Sequence, residues 1–293
     1  MEAGGHARWF ERLWAELGFE LWIGDSAKNR AAATRKQRTD ARDAQHLLEL
    51  LRNGQFEKMR IWIPRAEERD VRQLVSHRYR LVQIRTRVKN QLRAIALNEG
   101  MGRKPGLWSR PGRKQFEELV LPTWTARRRQ DNLELQQLEL RTQGLDLAVR
   151  QEASRRPEVV RLMTHPGVGE VTALAFVLTL GDPGRFASSK QVASYLGLIP
   201  AEDSSGGRQR LGHLTKQGNA LLRGLLVEAA HSAVQHDEQL ARGYRRLAFK
   251  KNRSIAAVAV ARKLAVRLWW MWIRGLDYRQ FRQGSASPVR HAG

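Results

Sequence analysis

The chain has 293 residues, enough for one large domain or two ordinary ones, and carries 52 Lys and Arg against 29 Asp and Glu, a net charge of +23. With 42% apolar residues and no cysteine, the sequence excludes a disordered basic tail, disulfides and thiolate zinc sites. The charge predicts a polyanionic partner, and it favours nucleic acid over an anionic membrane surface.

Residues 1–65 alternate helix and strand patterns, as an α/β fold does. Residues 7–17 predict a helix, because Trp9, Leu13 and Leu17 recur every four positions. The other elements predicted in this segment are strands in FELWIGD (19–25) and MRIWIP (59–64), and a helix at 39–52 that ends at Asn53-Gly54.

Two acids, Asp40 and Asp43, open the helix at 39–52. Their spacing of three places both on one helix face, with Cβ atoms about 5–6 Å apart. The apolar residues that follow on this face are Ala44, Leu47, Leu48 and Leu51. The two acids are therefore predicted to extend the buried stripe, where two like charges need compensation.

The acid pair has two interpretations. In the first, a divalent cation compensates the charges, because carboxylate oxygens are hard ligands for Mg²⁺, and Glu2 is the candidate third ligand. In the second, Thr39 or Asp40 caps the helix and Asp43 complements its dipole. The residues alone leave both open.

Two long helical patterns occupy the region 66–156. Residues 67–98 have heptad spacing, and the seam consists of Val71, Leu74, Arg78, Leu81, Arg85, Val88, Leu92 and Ile95. The second seam consists of Leu135, Leu138, Thr142, Leu145 and Val149. The stretch 100–130, rich in Gly, Pro and Arg, is predicted to be a hinge or loop. Three arrangements stay open for the two helices: an antiparallel arm, a dimer seam, or packing on the chain's own core.

From residue 157 to about 283, helices are punctuated by glycine turns. In VVRLMTHPGVGEVTALAFVLTLGD (159–182), two apolar helices flank a Pro-Gly-Val-Gly turn. This pattern resembles a helix-hairpin-helix, in which Gly167 and Gly169 allow a tight turn and the next helix offers free N–H groups to a phosphate. Thr172 adds a candidate hydroxyl contact. The alternative is a simple glycine turn between two core helices.

A serine-glycine loop follows in YLGLIPAEDSSGGRQRLGHLTKQGN (195–219). In one interpretation the hydroxyl of Ser204 or Ser205 attacks a phosphate while nearby cations stabilise the developing charge. In the other, the loop binds backbone phosphate without chemistry. The cations are Arg208, Arg210 and Lys216. His165 and His213 are predicted to be phosphate contacts or turn residues, not bases.

The most apolar stretch is LAVRLWWMWI at 264–273, within a last helix predicted at 254–275. It is too short to span a bilayer and contains Arg267. Residues 1–20 lack the apolar core of a signal peptide. We therefore expect a cytoplasmic protein with no membrane partner, and a disordered tail at 284–293.

Three motifs occur in order along the chain: Glu2-Ala3-Gly4 with TDARDA, then PGVGEVTA, then YLGLIP…SSGG…RLGHLTKQGN. Together they resemble the insertion sequence 110 family of bacterial transposases, which includes the Piv-type DNA invertases. The resemblance covers nearly the whole chain. It implies a truncated RuvC or ribonuclease H-like domain at 1–65, a long-helix or coiled-coil region at 66–156, and a transposase domain with a helix-hairpin-helix at 157–283.

The resemblance also implies a four-acid site, Asp-Glu-Asp-Asp, whose last three members are Glu2, Asp40 and Asp43, with Mg²⁺ or Mn²⁺ as the metal. The implied nucleophile is Ser205, with Ser204 as the second choice, and it forms a transient covalent link to DNA. The implied partners are DNA at the element ends and the target, a guide RNA as in some members, and further copies of the chain.

One departure from the family concerns its first Asp, which precedes the Glu. No acid precedes Glu2 in this sequence, and Asp25 falls in the wrong order. We therefore expect a truncated chain with little or no activity of its own. The competing hypothesis is a non-catalytic basic protein that binds DNA or RNA.

Overall fold

The computed structural model describes residues 8–28, 39–102, 106–135, 138–202 and 211–284. The predicted site residues outside these ranges are Glu2, Ser204, Ser205, Arg208 and Arg210, and the predicted tail after Gly284 is also outside them. The chain divides into two compact units, Met1–Arg65 and Ala66–Gly293.

The first unit contains helix α1 (Arg8–Glu16), helix α2 (Asp40–Arg52) and a 3₁₀ turn at Phe56–Met59. Both helices are confirmed at nearly the predicted bounds. Helix α2 ends as predicted, because Asn53 is its C-cap and Gly54 follows with a φ of +65°.

The two segments predicted as strands in the first unit lie side by side. The amide of Ile61 donates to the carbonyl of Ile23, and the amide of Asp25 donates to the carbonyl of Met59, both at 2.9 Å. This contact forms one antiparallel bridge, and the described residues of the unit contain no longer strand. The ribonuclease H-like sheet therefore stays a prediction.

The second unit is mostly helical, as predicted. Its helices are α3 (Ala66–Asn98), α4 (Arg110–Glu118), α5 (Thr123–Leu135), α6 (Leu138–Ser154), α7 (Pro157–Met163), α8 (Glu170–Leu180), α9 (Ser189–Tyr195), α10 (Ala220–His236), α11 (Glu238–Lys250), α12 (Arg253–Arg274) and α13 (Tyr278–Gly284). Strands β1 (Pro200–Glu202) and β2 (Leu211–Leu214) pair antiparallel, and a 3₁₀ turn covers Pro183–Arg185. Within the described ranges, no helix is long and apolar enough to cross a bilayer.

The two seam helices, α3 and α6, pack against each other within one chain. Arg78 pairs with Asp146, and Arg85 pairs with Glu139 at 3.6 Å. The later residue of α3, Arg85, pairs with the earlier residue of α6, Glu139. The two helices therefore run antiparallel. Of the three arrangements left open, the structure contains two: α3 and α6 pair antiparallel, and both pack on the chain's own core through residues such as Val75 and Val149. A dimer seam stays a prediction.

The prediction of a loop at 100–130 is wrong, because α4 and α5 occupy most of that stretch. Pro111 lies in the first turn of α4 and Pro122 directly precedes α5, where a proline does not interrupt a helix. Ser109 caps α4 by accepting a hydrogen bond from the amide of Gly112 at 3.3 Å. Phe116 of α4 is buried with Leu92 and neighbouring residues of α3, so these helices form a small core of their own.

Helix α8 lies at the centre of the main core. Residues Thr172–Leu180 are all buried, because α8 packs against α3, α6, α7 and α10. A helix that is apolar on every side is stable only when neighbours cover all of it. The glycine turn before α8 is therefore attached to the centre of this core.

Candidate active site

The acid pair stands in the first turn of α2, and both carboxylates are exposed. Thr39 caps the helix, because its Oγ1 accepts a hydrogen bond from the amide of Arg42 at 3.4 Å. Asp40 and Asp43 then complement the positive end of the helix dipole. The capping interpretation is therefore confirmed for Thr39.

The predicted burial of the acid stripe is wrong. Leu50, which the prediction left out, is 4% exposed, whereas Leu48 and Leu51 are about half exposed. The other buried apolar residues described in this unit are Ile23 and Phe56. Burial therefore does not force a cation onto the two acids, although their oxygens are accessible to one.

The two carboxylates fit part of a Mg²⁺ or Mn²⁺ site. Carboxylate oxygens are the donors these hard cations prefer, and a spacing of three residues on a helix allows two of them to share an ion. The described parts of the chain contain no group of three acids or histidines that could hold a metal. Glu2, the candidate third ligand, lies outside them. Asp40 and Asp43 supply two ligands at most.

The structure contains the predicted glycine turn between α7 and α8. Packing and backbone conformation both require a glycine at position 167. Its φ is +84°, and a Cβ there would lie 2.6 Å from the carbonyl oxygen of Ala229 and from the amide nitrogen of Ala233. The turn is therefore pressed against α10. Gly169 opens α8 with free space beside it, whereas Thr172 is only 8% exposed. Phosphate binding by this turn stays a prediction, and Thr172 has little surface to offer.

The base of the serine hairpin is well defined. Gly197 and Gly218 both have positive φ, at +63° and +73°. A Cβ on Gly197 would overlap the backbone of Gln217, and a Cβ on Gly218 would overlap the carbonyl oxygen of Tyr195. The glycines of the YLGL and KQGN motifs thus let two backbone segments touch at the root of β1 and β2.

Two polar side chains fasten this base to the rest of the unit. Arg223 donates to the carbonyl oxygen of Gln217. Asn219 caps α10 by accepting from the amide of Leu222 at 3.1 Å, and its Nδ2 donates to Oγ1 of Thr179 at 3.4 Å. The segment with Ser204 and Ser205 follows β1 and precedes β2 in the sequence, so its two ends start from a fixed base.

Lys216 lies on the exposed side of this base. Its φ is +53°, and among the described residues it is the one non-glycine residue with a positive φ. This conformation costs about 1–2 kcal/mol and persists only where the surroundings impose it. Lys216 is exposed, and its contact with a phosphate stays a prediction.

Two arginines missed by the sequence reasoning close the carboxyl end of α8. Nε of Arg72 donates to the carbonyl of Leu178, and Nε of Arg185 donates to the carbonyl of Leu180, both at 2.8 Å. Cations at this end of a helix complement its dipole. The Arg185 guanidinium also lies 4.5 Å from the ring of Tyr195, beside the hairpin base. Nothing in their spacing separates these two from the other basic residues.

A buried ionic cluster, also missed, joins the last helices. The carboxylate of Asp237 is fully buried and accepts from Nη1 of Arg267 and from the hydroxyl of Tyr278, both at 2.6 Å. It also caps α11 by accepting from the amide of Leu240 at 2.9 Å. Burial and the bond to Asp237 raise the pKa of Tyr278 to about 12, so its hydroxyl stays a donor. The cluster ties α11, α12 and α13 together.

His165 lies beside this cluster as a buried turn residue, one of its two predicted roles. Its ring is 1% exposed and packs on Tyr278 with centroids 4.5 Å apart. Nδ1 donates to the carbonyl of Pro166 at 2.9 Å, and Nε2 has no hydrogen-bond partner among the described residues. Burial and the charge of Arg267, outweighing Asp237, lower the pKa of His165 to about 4.

The stability of the second unit is expected to fall as the pH drops from about 6.5 to 4. In this window the unfolded chain protonates His165 and the folded chain does not, so protonation favours unfolding by up to about 3 kcal/mol. Denaturant unfolding at pH 7, 6 and 5 measures the slope. His165→Gln should flatten it, and His236→Gln, at an exposed histidine, should not. An unchanged slope in His165→Gln would assign the effect to other groups.

Two family models match the chain. The model described as "Transposase IS116/IS110/IS902 family" matches residues 159–245, which include the glycine turn and the serine hairpin. A model for DEDD transposases of the IS110 group matches residues 19–99, which include the acid pair. Together the two matches cover more than half of the chain.

Named relatives cover most of the chain. A protein of Pseudomonas aeruginosa named "Probable family 20 transposase" is 28% identical over 95% of this chain and 85% of its own length. The transposase for insertion sequence element IS1111A of Coxiella burnetii is 28% identical over 95% of this chain and 78% of its own length. The transposase for insertion sequence element IS1328 of Yersinia enterocolitica is 27% identical over 72% and 66%. The chain therefore belongs to the IS110 family of transposases, enzymes that cut and rejoin DNA.

Proposed function

We propose that this chain is a DNA strand-cleaving and rejoining enzyme that uses a metal-dependent acidic site and a contribution from a serine, and that its own activity is low, as the sequence leads us to expect. The observation that carries the proposal is the placement of chemistry-bearing residues in the two matched stretches. The exposed Asp40 and Asp43 lie in one stretch, and the hairpin that bears Ser204 and Ser205 lies in the other.

The serine is the proposed nucleophile. Oγ of Ser205 attacks the phosphorus, an O–P bond forms, and the bond from phosphorus to one sugar oxygen breaks. The serine proton goes to the departing sugar oxygen, which leaves as a hydroxyl. Attack by the hydroxyl of another strand reverses the step and restores the serine. Lys216, with Arg208 and Arg210, stabilises the charge that develops on the phosphate.

The acids hold the metal in this proposal. Asp40 and Asp43, with Glu2 as third ligand, would bind Mg²⁺ or Mn²⁺, which neutralises charge on the phosphate oxygens. Their exposure supports this role, because a strand of DNA can approach them directly. The proposed substrate is DNA at the element ends and the target, in the bacterial cytoplasm. A guide RNA and further copies of the chain are the other proposed partners.

Asp43→Asn and Ser205→Ala are expected to lower strand cleavage by at least 100-fold without weakening DNA binding. Asn cannot supply an anionic metal ligand, and Ala has no nucleophile. The measurement is cleavage of duplex DNA that carries the element ends, with Mg²⁺ or with EDTA, and a denaturing gel detects the protein–DNA adduct. Asp131→Asn, at an exposed acid of α5, is the matched control and should keep full activity.

The same experiment separates the catalytic proposal from the alternative, a basic protein that only binds DNA or RNA. The catalytic proposal expects a low cleavage activity of the parent chain that Asp43→Asn abolishes. Under the alternative, prolonged incubation of the parent chain with Mg²⁺ gives no cleavage above the EDTA control, and Asp43→Asn leaves binding unchanged or slightly tighter because an acid near phosphate is lost. An adduct that persists in Ser205→Ala and disappears in Ser204→Ala would reassign the nucleophile to Ser204.

A further inference from the structure

The strongest uninterrupted run of positive charge in the described chain lies at the end of α11. Residues 242–253 contain six Lys and Arg and no acid. This run lies at the edge of the matched transposase stretch, which ends at residue 245, and it has none of the candidate serines or acids. It is therefore a feature that the proposed chemistry leaves unexplained.

Four of these cations share one exposed face of α11. The members of this face, called the α11 basic face, are Arg242, Arg245, Arg246, Phe249 and Lys250, and all are exposed. Helical spacing places them within about two turns, and neighbours one turn apart lie about 5–6 Å from each other. The opposite side carries Leu240 and Ala241, which are buried, so the basic face points to solvent.

The cations are unequally compensated. Arg242 and Arg245 both lie near Glu238, at 3.9 and 2.8 Å. Arg246 and Lys250, like Lys251 after them, have no acid within ion-pair distance among the described residues. Like charges this close repel one another, and a polyanion relieves the repulsion. A phosphate bound beside Arg246, Lys250 and Lys251 would therefore relieve more charge repulsion than one bound beside Arg242 and Arg245.

Phe249 adds a second kind of chemistry to the face. Its side chain is 92% exposed and stands one turn after Arg245 and Arg246, in the middle of the cations. A single exposed apolar residue is ordinary on a protein surface. An exposed aromatic ring framed by cations is the arrangement that binds an unpaired strand, because bases stack on the ring while cations hold the phosphates.

We propose that the α11 basic face binds an unpaired stretch of nucleic acid, with Phe249 stacked on one base and with Arg246, Lys250 and Lys251 on the flanking phosphates. Such a stretch arises when a duplex is opened at a crossover, or in a folded RNA. This proposal rests on the proposed function in one respect only, which is that the partner is a nucleic acid. It requires no bond-making step, so it is tested without catalysis.

The charge component is tested by the salt dependence of binding. The full chain is titrated into a labelled 20-nucleotide single strand in EDTA at several salt concentrations, with fluorescence anisotropy as the readout. Each lost phosphate contact lowers the slope of log affinity against log salt by about 0.7, so Arg246→Gln/Lys250→Gln/Lys251→Gln should lower it by about 2. The control, Arg80→Gln/Arg87→Gln/Lys190→Gln, removes the same charge from exposed sites elsewhere and should leave the slope nearly unchanged. Equal losses in both triple variants would overturn the proposal.

The stacking component is tested at Phe249. Phe249→Ala should weaken single-strand binding by roughly 5- to 100-fold and leave binding of a blunt duplex unchanged, because paired bases offer no free face. Phe249→Trp should keep the affinity, and Trp124→Ala, at another exposed aromatic residue, should not lower it. An equal effect of Phe249→Ala on single strand and duplex, or no effect on either, would refute the stacking role.

Two further measurements show whether the bound strand is DNA or RNA, and separate this proposal from the catalytic one. The same sequence is offered as DNA and as RNA, and a loss confined to either assigns the face to that strand. Cleavage of element-end DNA is measured beside single-strand binding for each variant. Lost cleavage with retained binding bears on the catalytic site alone, and lost Phe249-dependent binding bears on the α11 basic face alone.

Discussion

Arg267→Ala is expected to lower the free energy of unfolding by about 3–5 kcal/mol. The substitution removes the buried cation that donates to the carboxylate of Asp237 and leaves only the half-exposed Arg282, whose Nη1 lies 3.9 Å away. It also removes the hydrogen bond from Arg267 to Oε1 of Gln239. A buried charge without a partner costs far more than an exposed one. Chemical denaturation at pH 7 measures the change.

The control for this variant is Arg279→Ala, which removes an exposed guanidinium from α13 and should change stability by less than about 0.5 kcal/mol. A double variant, Asp237→Asn with Arg267→Met, should recover part of the loss, because neither member then leaves a charge alone. If Arg267→Ala unfolds no more easily than Arg279→Ala, the cluster does not hold the last helices together.

The stabilisation from the Asp237–Arg267 ion pair should persist to lower pH than the stabilisation from neutral His165. Burial alone would raise the pKa of Asp237, but the bonds from Tyr278, Leu240 and Arg267 hold it well below its usual range. A depressed carboxyl pKa contributes stability above the unfolded value of 3.8 and loses it as pH falls further. We therefore ascribe the fall that begins at about pH 6.5 to His165. Protonation of Asp237 adds to the fall only at lower pH, below about 3.8.

Gly167→Ala is expected to destabilise the chain by about 2–5 kcal/mol. Two costs add: a non-glycine residue at a φ of +84°, about 1–2 kcal/mol, and the overlap of the new Cβ with the backbone of α10, about 1–3 kcal/mol. Backbone atoms cannot rotate away as the end of a side chain can, so the α7–α8 turn must separate from α10. The denaturant midpoint measures the loss.

Gly144→Ala is the matched control, with the opposite expected sign. Gly144 lies inside α6 with no positive φ and no atom within 4 Å of its added Cβ. Alanine there should raise stability by about 0.5–1 kcal/mol through helix propensity. A neutral Gly167→Ala would show that the turn does not press on α10 in solution, and would favour a free, ligand-binding turn.

Long periodic helices were predictable, and their partners were not. Heptad spacing predicts α3 almost to the residue, because a buried seam must repeat every three or four positions. The same spacing marks Arg78 as a polar member of the seam and leaves its partner unknown. Asp146 is 68 residues away, and only the packing of α3 on α6 brings the two together.

The sequence indicates which residues form the candidate site better than it indicates the burial and the contacts of those residues. Thr39 as a cap is a local property, so the sequence contains it. Leu50 is buried in place of Leu51, and this depends on what packs against α2, which no pattern within the helix contains. The contact of Gly197 with Gln217 likewise depends on a turn about 20 residues later. Long-range packing decides such features.

The complete burial of α8 has a consequence for synthesis of the chain. Residues Thr172–Leu180 leave the ribosome before α10, one of the helices that cover them. During this interval the apolar surface of α8 that α10 later covers is exposed to water. Of the helices that pack on α8, only α3, α6 and α7 have then been synthesised. Early docking of these three helices on α8, or a chaperone in their place, then decides whether a new copy folds or aggregates.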